Sequence, residues 1–196
     1  HVEACDLDGD ASTDLVVVSP DTGAVDRNKF YAGSIQKPLA LLYKERDYSR
    51  TPPNAEDTNI TEMKLLGDVK HKDVFMADDM LGTGGTVIKA MTTLKSFGAR
   101  RIICAVSLPL FSGDAIDRFD QAYKDGLFYR LIGTNGVYNP PELLEKEWYL
   151  CANVSNLFAR IISNLHHGRS TSKLLDNRYI IQKLVTGQAV KYPEKE

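Results

Sequence analysis

The sequence has no long apolar run, little cysteine and almost no net charge. Its longest hydrophobic stretches, such as Leu15–Val18 and Ile102–Val106, are strand-sized and fall far short of the roughly 18 residues a membrane span needs. Lys and Arg number 24 against 26 Asp and Glu, a net charge of −2, so electrostatics give no reason to expect nucleic acid or an anionic membrane. The three cysteines, Cys5, Cys104 and Cys151, have no metal-type spacing and no close pairing. Cys104 and Cys151 sit in apolar, strand-like runs that suit a small buried hydrophobe. No basic stretch followed by an apolar one opens the chain, which points to a reducing cytoplasm rather than secretion. An internal repeat and a Walker A loop are also missing.

What is present fits one α/β domain. The 196 residues are 43% hydrophobic and 26% charged, values that exclude disorder and fibrous architecture. Residues 1–12 are a polar lead-in. Asp6, Asp8 and Asp10 alternate there as in a calcium loop, but Ala11 and Val17 stand where that loop needs glycine and a bidentate glutamate. Residues 13–185 form the expected domain and 186–196 a charged tail.

Within the domain, strands are expected at Leu15–Ser19, Met63–Gly67, Val74–Ala77, Arg101–Ser107, Leu131–Thr134 and Trp148–Ala152. A short apolar run spans Pro38–Tyr43, and a polar, period-free segment of lid or binding-loop type covers Lys44–Thr61. Helices are expected at Arg27–Gln36, Thr86–Phe97, Val154–Leu165 and Leu174–Leu184, with another capped by Ser112 and running to Lys124. His166 and His167 suit a helix C-terminus. Alternating strands and helices imply a doubly wound, mostly parallel sheet with helices on both faces.

The informative run is Val74-Phe75-Met76-Ala77-Asp78-Asp79-Met80-Leu81-Gly82-Thr83-Gly84-Gly85-Thr86. It reads as a strand ending in two carboxylates, a glycine-rich turn and a helix start. Free amides and the dipole at a helix N-terminus attract an anion. Glycines admit a phosphate closely, and Thr83 and Thr86 add hydroxyls. Adjacent carboxylates repel phosphate but suit a sugar's vicinal hydroxyls or a magnesium ion. A phosphorylated pentose satisfies both halves.

The run Asp78–Thr86 resembles the phosphoribosyl-pyrophosphate (PRPP) loop of type I phosphoribosyltransferases, and more closely that of PRPP synthetases (ribose-phosphate diphosphokinases). Supporting segments are Val16–Gly23, Lys44-Glu45-Arg46, Leu66–Val69, Phe111–Ile116, Gly133-Thr134-Asn135 and Ser170-Thr171-Ser172. Together they resemble the C-terminal half of such an enzyme from about Leu15 to Leu175, with no counterpart of the N-terminal domain that supplies much of the ATP site.

The resemblance implies a type I phosphoribosyltransferase-like fold and several residue roles. Asp78 and Asp79 would take the ribose hydroxyls of ribose 5-phosphate, while Gly82, Thr83, Gly84, Gly85 and Thr86 would take its phosphate. Lys44 and Arg46, in a catalytic flexible loop, would neutralise the phosphoryl group leaving ATP. Asp21 would contact magnesium. Ser170, Thr171 and Ser172 would line an allosteric phosphate site, and a homo-oligomer, typically a hexamer, is implied. Gly82 stands where synthetases usually carry Asp, Leu108 falls where they often have part of a Thr-His pair, and Asp26 replaces an often basic or neutral residue. The alternatives are therefore a noncatalytic regulatory subunit and a phosphoribosyltransferase using PRPP and a nucleobase.

Overall fold

Three successive valines give β1 (Leu15–Ser19) its buried, extended character. The computed structural model describes residues 14–46 and 60–187, the side chains of 44–46 and 60–62 excepted. The polar lead-in, Cys5 and the loop with Pro52 and Pro53 lie outside the described residues, as does the tail from 188 onward. After β1 come α1 (Val25–Ile35), β2 (Leu39–Arg46), β3 (Ile60–Leu66) and β4 (Asp73–Leu81). They are followed by α2 (Gly85–Ser96), β5 (Ile102–Pro109), α3 (Ala115–Lys124), β6 (Arg130–Thr134) and α4 (Pro141–Leu144). The chain continues through β7 (Tyr149–Ala152), α5 (Ser155–His166), α6 (Ser172–Leu175) and α7 (Arg178–Val185).

Seven strands form one sheet in the order β3-β2-β1-β4-β5-β6-β7. All neighbours are parallel except β2 and β3. The order reverses between β1 and β4, where an open parallel sheet leaves a crevice at its carboxyl ends. Strand alternation sorts the two faces. Val74 and Met76 join the main core with Val87, Ala90, Met91 and Leu94 of α2. Phe75, between them, instead meets Tyr31 of α1 edge-on, with ring centres 5.6 Å apart. Helices therefore cover both faces, as expected.

Deeper in the core, Trp148 packs against Phe111, Phe119, Phe128 and Tyr149. Its indole Nε1 donates to Asp120 Oδ1 at 2.7 Å. Cys104 is fully buried, whereas Cys151 is only partly so. No described helix is long and apolar enough to cross a membrane.

Four expectations need correction. β4 does not stop at Ala77, because its pairing with β5 continues to Leu81 opposite Pro109; Asp78 and Asp79 are strand residues. β2 likewise runs through Lys44 to Arg46, since β3 pairs with it antiparallel along that length. Ser112 caps no helix: Phe111 and Gly113 take positive φ values of 44° and 65°, the chain turns there, and α3 starts at Ala115. The last helix is two helices. Asp176 is extended, and its carboxylate accepts from the Arg178 N–H and guanidinium, restarting the chain as α7.

Candidate functional site

The crevice between β1 and β4 is built from three short segments. Beyond β1, Ser19 Oγ donates to the Asp21 carbonyl (2.7 Å), and Asp21 Oδ1 accepts the Ala24 N–H (2.9 Å). The Asp21 side chain thereby shapes the turn into α1. One turn later Asn28, fully buried, makes three bonds, two of which lock α1 to β4. Its Nδ2 donates to the carbonyls of Ala24 (2.9 Å) and Ala77 (2.8 Å), and its Oδ1 accepts the Ala77 N–H (2.9 Å). The amide thus pairs with β4 immediately before the two acids.

Those acids share one cation. Arg27 Nη1 lies 3.0 Å from Asp78 Oδ1, and Nη2 lies 3.1 Å from Asp79 Oδ2. Asp78 Oδ1 also accepts the Asp79 N–H at 2.9 Å. Burial pushes the Asp78 carboxyl above its ordinary value, and the nearby charges of Asp79 and Asp21 add to this against the Asp79 N–H. Burial acts to raise the Asp79 carboxyl too, but the Arg27 charge, together with hydrogen bonding to Asp78 and to the Asp79 and Met80 backbone, holds it below the ordinary value.

The glycine-rich turn follows directly. The Leu81 carbonyl accepts from the N–H groups of Leu110 and Phe111, and the Gly82 carbonyl accepts from Ser112. Arg118 Nη1 donates to the Thr83 carbonyl at 3.0 Å, bringing a guanidinium beside the turn. Gly84 has φ 74°, and a Cβ there would sit 2.3 Å from Phe119 Cε2, so this position requires glycine. No side chain caps α2. Its Ile88 N–H donates to the Gly84 carbonyl (2.9 Å), leaving the N–H groups of Gly85, Thr86 and Val87 outside the helical ladder. These amides and the helix dipole favour an anion.

The structure therefore brings Asp78 and Asp79 next to Gly82–Thr86, with Asp21 near enough to bias Asp78. Lys44 and Arg46 are placed by backbone alone. β2 pairs with β1 only over Leu39–Leu41 and then projects past Ser19 beside β3, so both residues lie beyond the carboxyl end of β1. Ser170, Thr171 and Ser172 stand apart. Ser172 accepts from Ser170 Oγ and donates its N–H back to it (3.1 and 3.2 Å), and Asn164 Nδ2 donates to the Ser170 carbonyl. No hydrogen bond or ion pair among the described residues ties them to the glycine turn.

Among the described residues no group of three or more His, Cys, Asp or Glu side chains is placed to hold a metal. Asp21 and its neighbours fit a magnesium ion that arrives on phosphate, which needs only one or two protein carboxylates. They do not fit a resident, fully protein-ligated ion.

Arg27, Asn28 and Arg118 carry no motif. Only Asn28 left a signal, a polar residue in the Ala24–Asn28–Ala32 stripe that is otherwise apolar and buried.

Residues 4–143 match the family model described as "Phosphoribosyl transferase domain". The chain is 33% identical over 185 residues to a ribose-phosphate pyrophosphokinase of Chlorobaculum tepidum, covering 94% of this chain and 51% of that protein. It is 36% identical over 168 residues to ribose-phosphate pyrophosphokinase 1 of Spinacia oleracea, covering 83% and 45% respectively. The crystal structure of phosphoribosylpyrophosphate synthetase from Mycobacterium smegmatis superposes with a TM-score of 0.66 at 28% identity, over 81% of this chain and 47% of that one. The chain spans about half the length of the curated relatives it matches. The strand, acid pair, glycine turn and helix that form the crevice lie inside the matched residues, and the chain belongs to the phosphoribosyl transferase domain family, with ribose-phosphate pyrophosphokinases among its relatives.

Proposed function

We propose that this chain is the ribose 5-phosphate-binding half of a magnesium-dependent ribose-phosphate diphosphokinase. The carrying observation is the juxtaposition, at the sheet's switch point, of an acid pair suited to a diol and an uncapped helix start suited to a phosphate. In this reading the amides of Gly82–Thr86 hold the 5-phosphate while Asp78 and Asp79 accept the ring hydroxyls. The C1 hydroxyl oxygen then bonds to the β-phosphorus of ATP as the bond from that phosphorus to the α–β bridging oxygen breaks; that oxygen leaves on AMP and the hydroxyl proton passes to solvent, giving PRPP for cytoplasmic nucleotide synthesis. Lys44 and Arg46, on the projecting β2–β3 ribbon, neutralise charge on the moving diphosphoryl group. That is the dominant demand in phosphoryl-type transfer. Magnesium brought by the nucleotide shields its phosphates, with Asp21 as the protein contact. The remaining nucleotide contacts, a homo-oligomeric assembly and a regulatory phosphate at Ser170–Ser172 belong to the same reading by resemblance.

Calorimetric titration of the chain with ribose 5-phosphate tests the binding half, and AMP release from the gene's full-length product with ATP and magnesium tests the reaction. Neither heat nor AMP would end the reading. Lys44→Ala should lower turnover of that product at least tenfold, an electrostatic loss of about 1.4 kcal/mol or more, while leaving ribose 5-phosphate affinity within about twofold. An unchanged rate removes Lys44 from the chemistry.

Gly82 favours a second reading, a noncatalytic regulatory subunit. A Cβ at Gly82 would meet nothing within 4 Å, so Gly82→Asp fits the fold. Binding without AMP release, in both the native product and Gly82→Asp, would support the regulatory role. Robust PRPP formation by the native product would exclude it.

A further inference from the structure

We propose that Arg27 is the positioning residue that makes Asp78 and Asp79 act as one diol-binding unit; the proposal rests on the ribose 5-phosphate reading above. Neighbouring residues on a strand send their side chains to opposite faces. Asp78 and Asp79 are both within β4, so the backbone by itself would part their carboxylates, one half-buried and one exposed. Instead one oxygen of each lies 3.0 and 3.1 Å from the two terminal nitrogens of a single guanidinium. A planar fork fixes both spacing and orientation, which a point charge cannot do.

The fork is itself held from behind. Asn28, the next residue, is pinned to both the N–H and the carbonyl of Ala77, and Ala77 precedes Asp78. Arg27 and the acid pair are therefore adjacent to one rigid seam between α1 and β4. Arg27 takes one oxygen of each carboxylate, Asp78 Oδ1 and Asp79 Oδ2, and because each carboxylate has about four acceptor positions, the pair retains capacity to accept ligand hydroxyls. The arrangement also offsets the repulsion between two neighbouring anions, burial and charge both acting to protonate Asp78.

The role concerns the diol and not the phosphate, because Arg118, not Arg27, reaches the glycine turn. The test is the ratio of affinities for ribose 5-phosphate and 2-deoxyribose 5-phosphate, which differ by one hydroxyl, measured by titration calorimetry on the native 196-residue chain, R27Q and R27K. A hydroxyl bonded to a well-placed carboxylate should favour the ribose form by roughly 10- to 100-fold in the native chain. In R27Q that ratio should fall toward unity while 2-deoxyribose 5-phosphate affinity changes little. R27K, which keeps the charge but not the fork, should lose most of the discrimination as well. Near-ultraviolet circular dichroism verifies that each variant is folded, and the ratio is read on whichever of the two keeps the native spectrum.

A native chain that ignores ribose 5-phosphate overturns the parent reading and this one with it. Native binding with an unchanged ratio in the folded variants overturns the role of Arg27 alone. So does tighter ribose 5-phosphate binding in R27Q, which would mean that Arg27 competes with the sugar. A uniform loss for both sugars also overturns it, since that is the mark of a merely structural residue.

Discussion

Asp73 sits at the start of β4, at the opposite end of that strand from the acid pair, with its side chain wholly buried. Burial would raise its carboxyl, but hydrogen bonds and charge from Arg100 and Arg101 bring it down from 3.8 to about 2. The folded value is below the unfolded one, so the ionised form stabilises the protein above about pH 4, and this contribution disappears as the pH falls toward 2. The difference amounts to roughly 2 kcal/mol. Urea unfolding at successive pH values should show that loss in the native chain and lack it in Asp73→Asn. At neutral pH the variant should be less stable by about 2–4 kcal/mol, because two arginines lose their shared acceptor. An identical acid profile in the two proteins would mean that other carboxylates govern acid stability.

At the scale of elements, the unit β4–turn–α2 does the work of the site, and Gly84 is its tightest point. Gly84→Ala combines a left-handed backbone with a contact on the Phe119 ring and should cost about 2–4 kcal/mol. The strain falls on the amides themselves, so ribose 5-phosphate affinity should fall together with the melting temperature. A variant with native melting and native affinity would show that the turn can relocate freely.

This unit was legible in the sequence because all its information is local: a short apolar run, two acids, closely spaced glycines and an amphipathic helix. Its strand boundary was not legible. Whether Asp78 and Asp79 extend the strand depends on the partner β5, which alone supplies the pairing out to Leu81. The length of β2 is hidden for the same reason, since β3 draws it out to Arg46. Arg27 is more distant still, meeting Asp78 across 51 positions. A charged residue in a helix's first turn looks solvated until the topology sets that helix beside the switch point. Asn28 is the partial exception, because a polar residue in a buried stripe demands partners that sequence cannot name.

Across the whole molecule, stability is unevenly spread. β1, β4 and β5 are buried strands flanked by neighbours on both sides, whereas α5, α6 and α7 bury no side chain fully. Phe158, Ile162 and Leu165 are exposed on α5. In the isolated chain, hydrogen exchange should run on the order of 100-fold faster in α5–α7 than in the central strands. Equal protection throughout would mean that those helices are covered in solution. The chain also has one tryptophan. Trp148 stacks on Phe119 at 5.9 Å between ring centres, and Phe119 lies directly under Gly84. The protein therefore contains its own optical gauge, since any metabolite that tightens or shifts the glycine turn presses on the ring beneath the indole, and occupancy can be followed as a change in native emission with no dye or label.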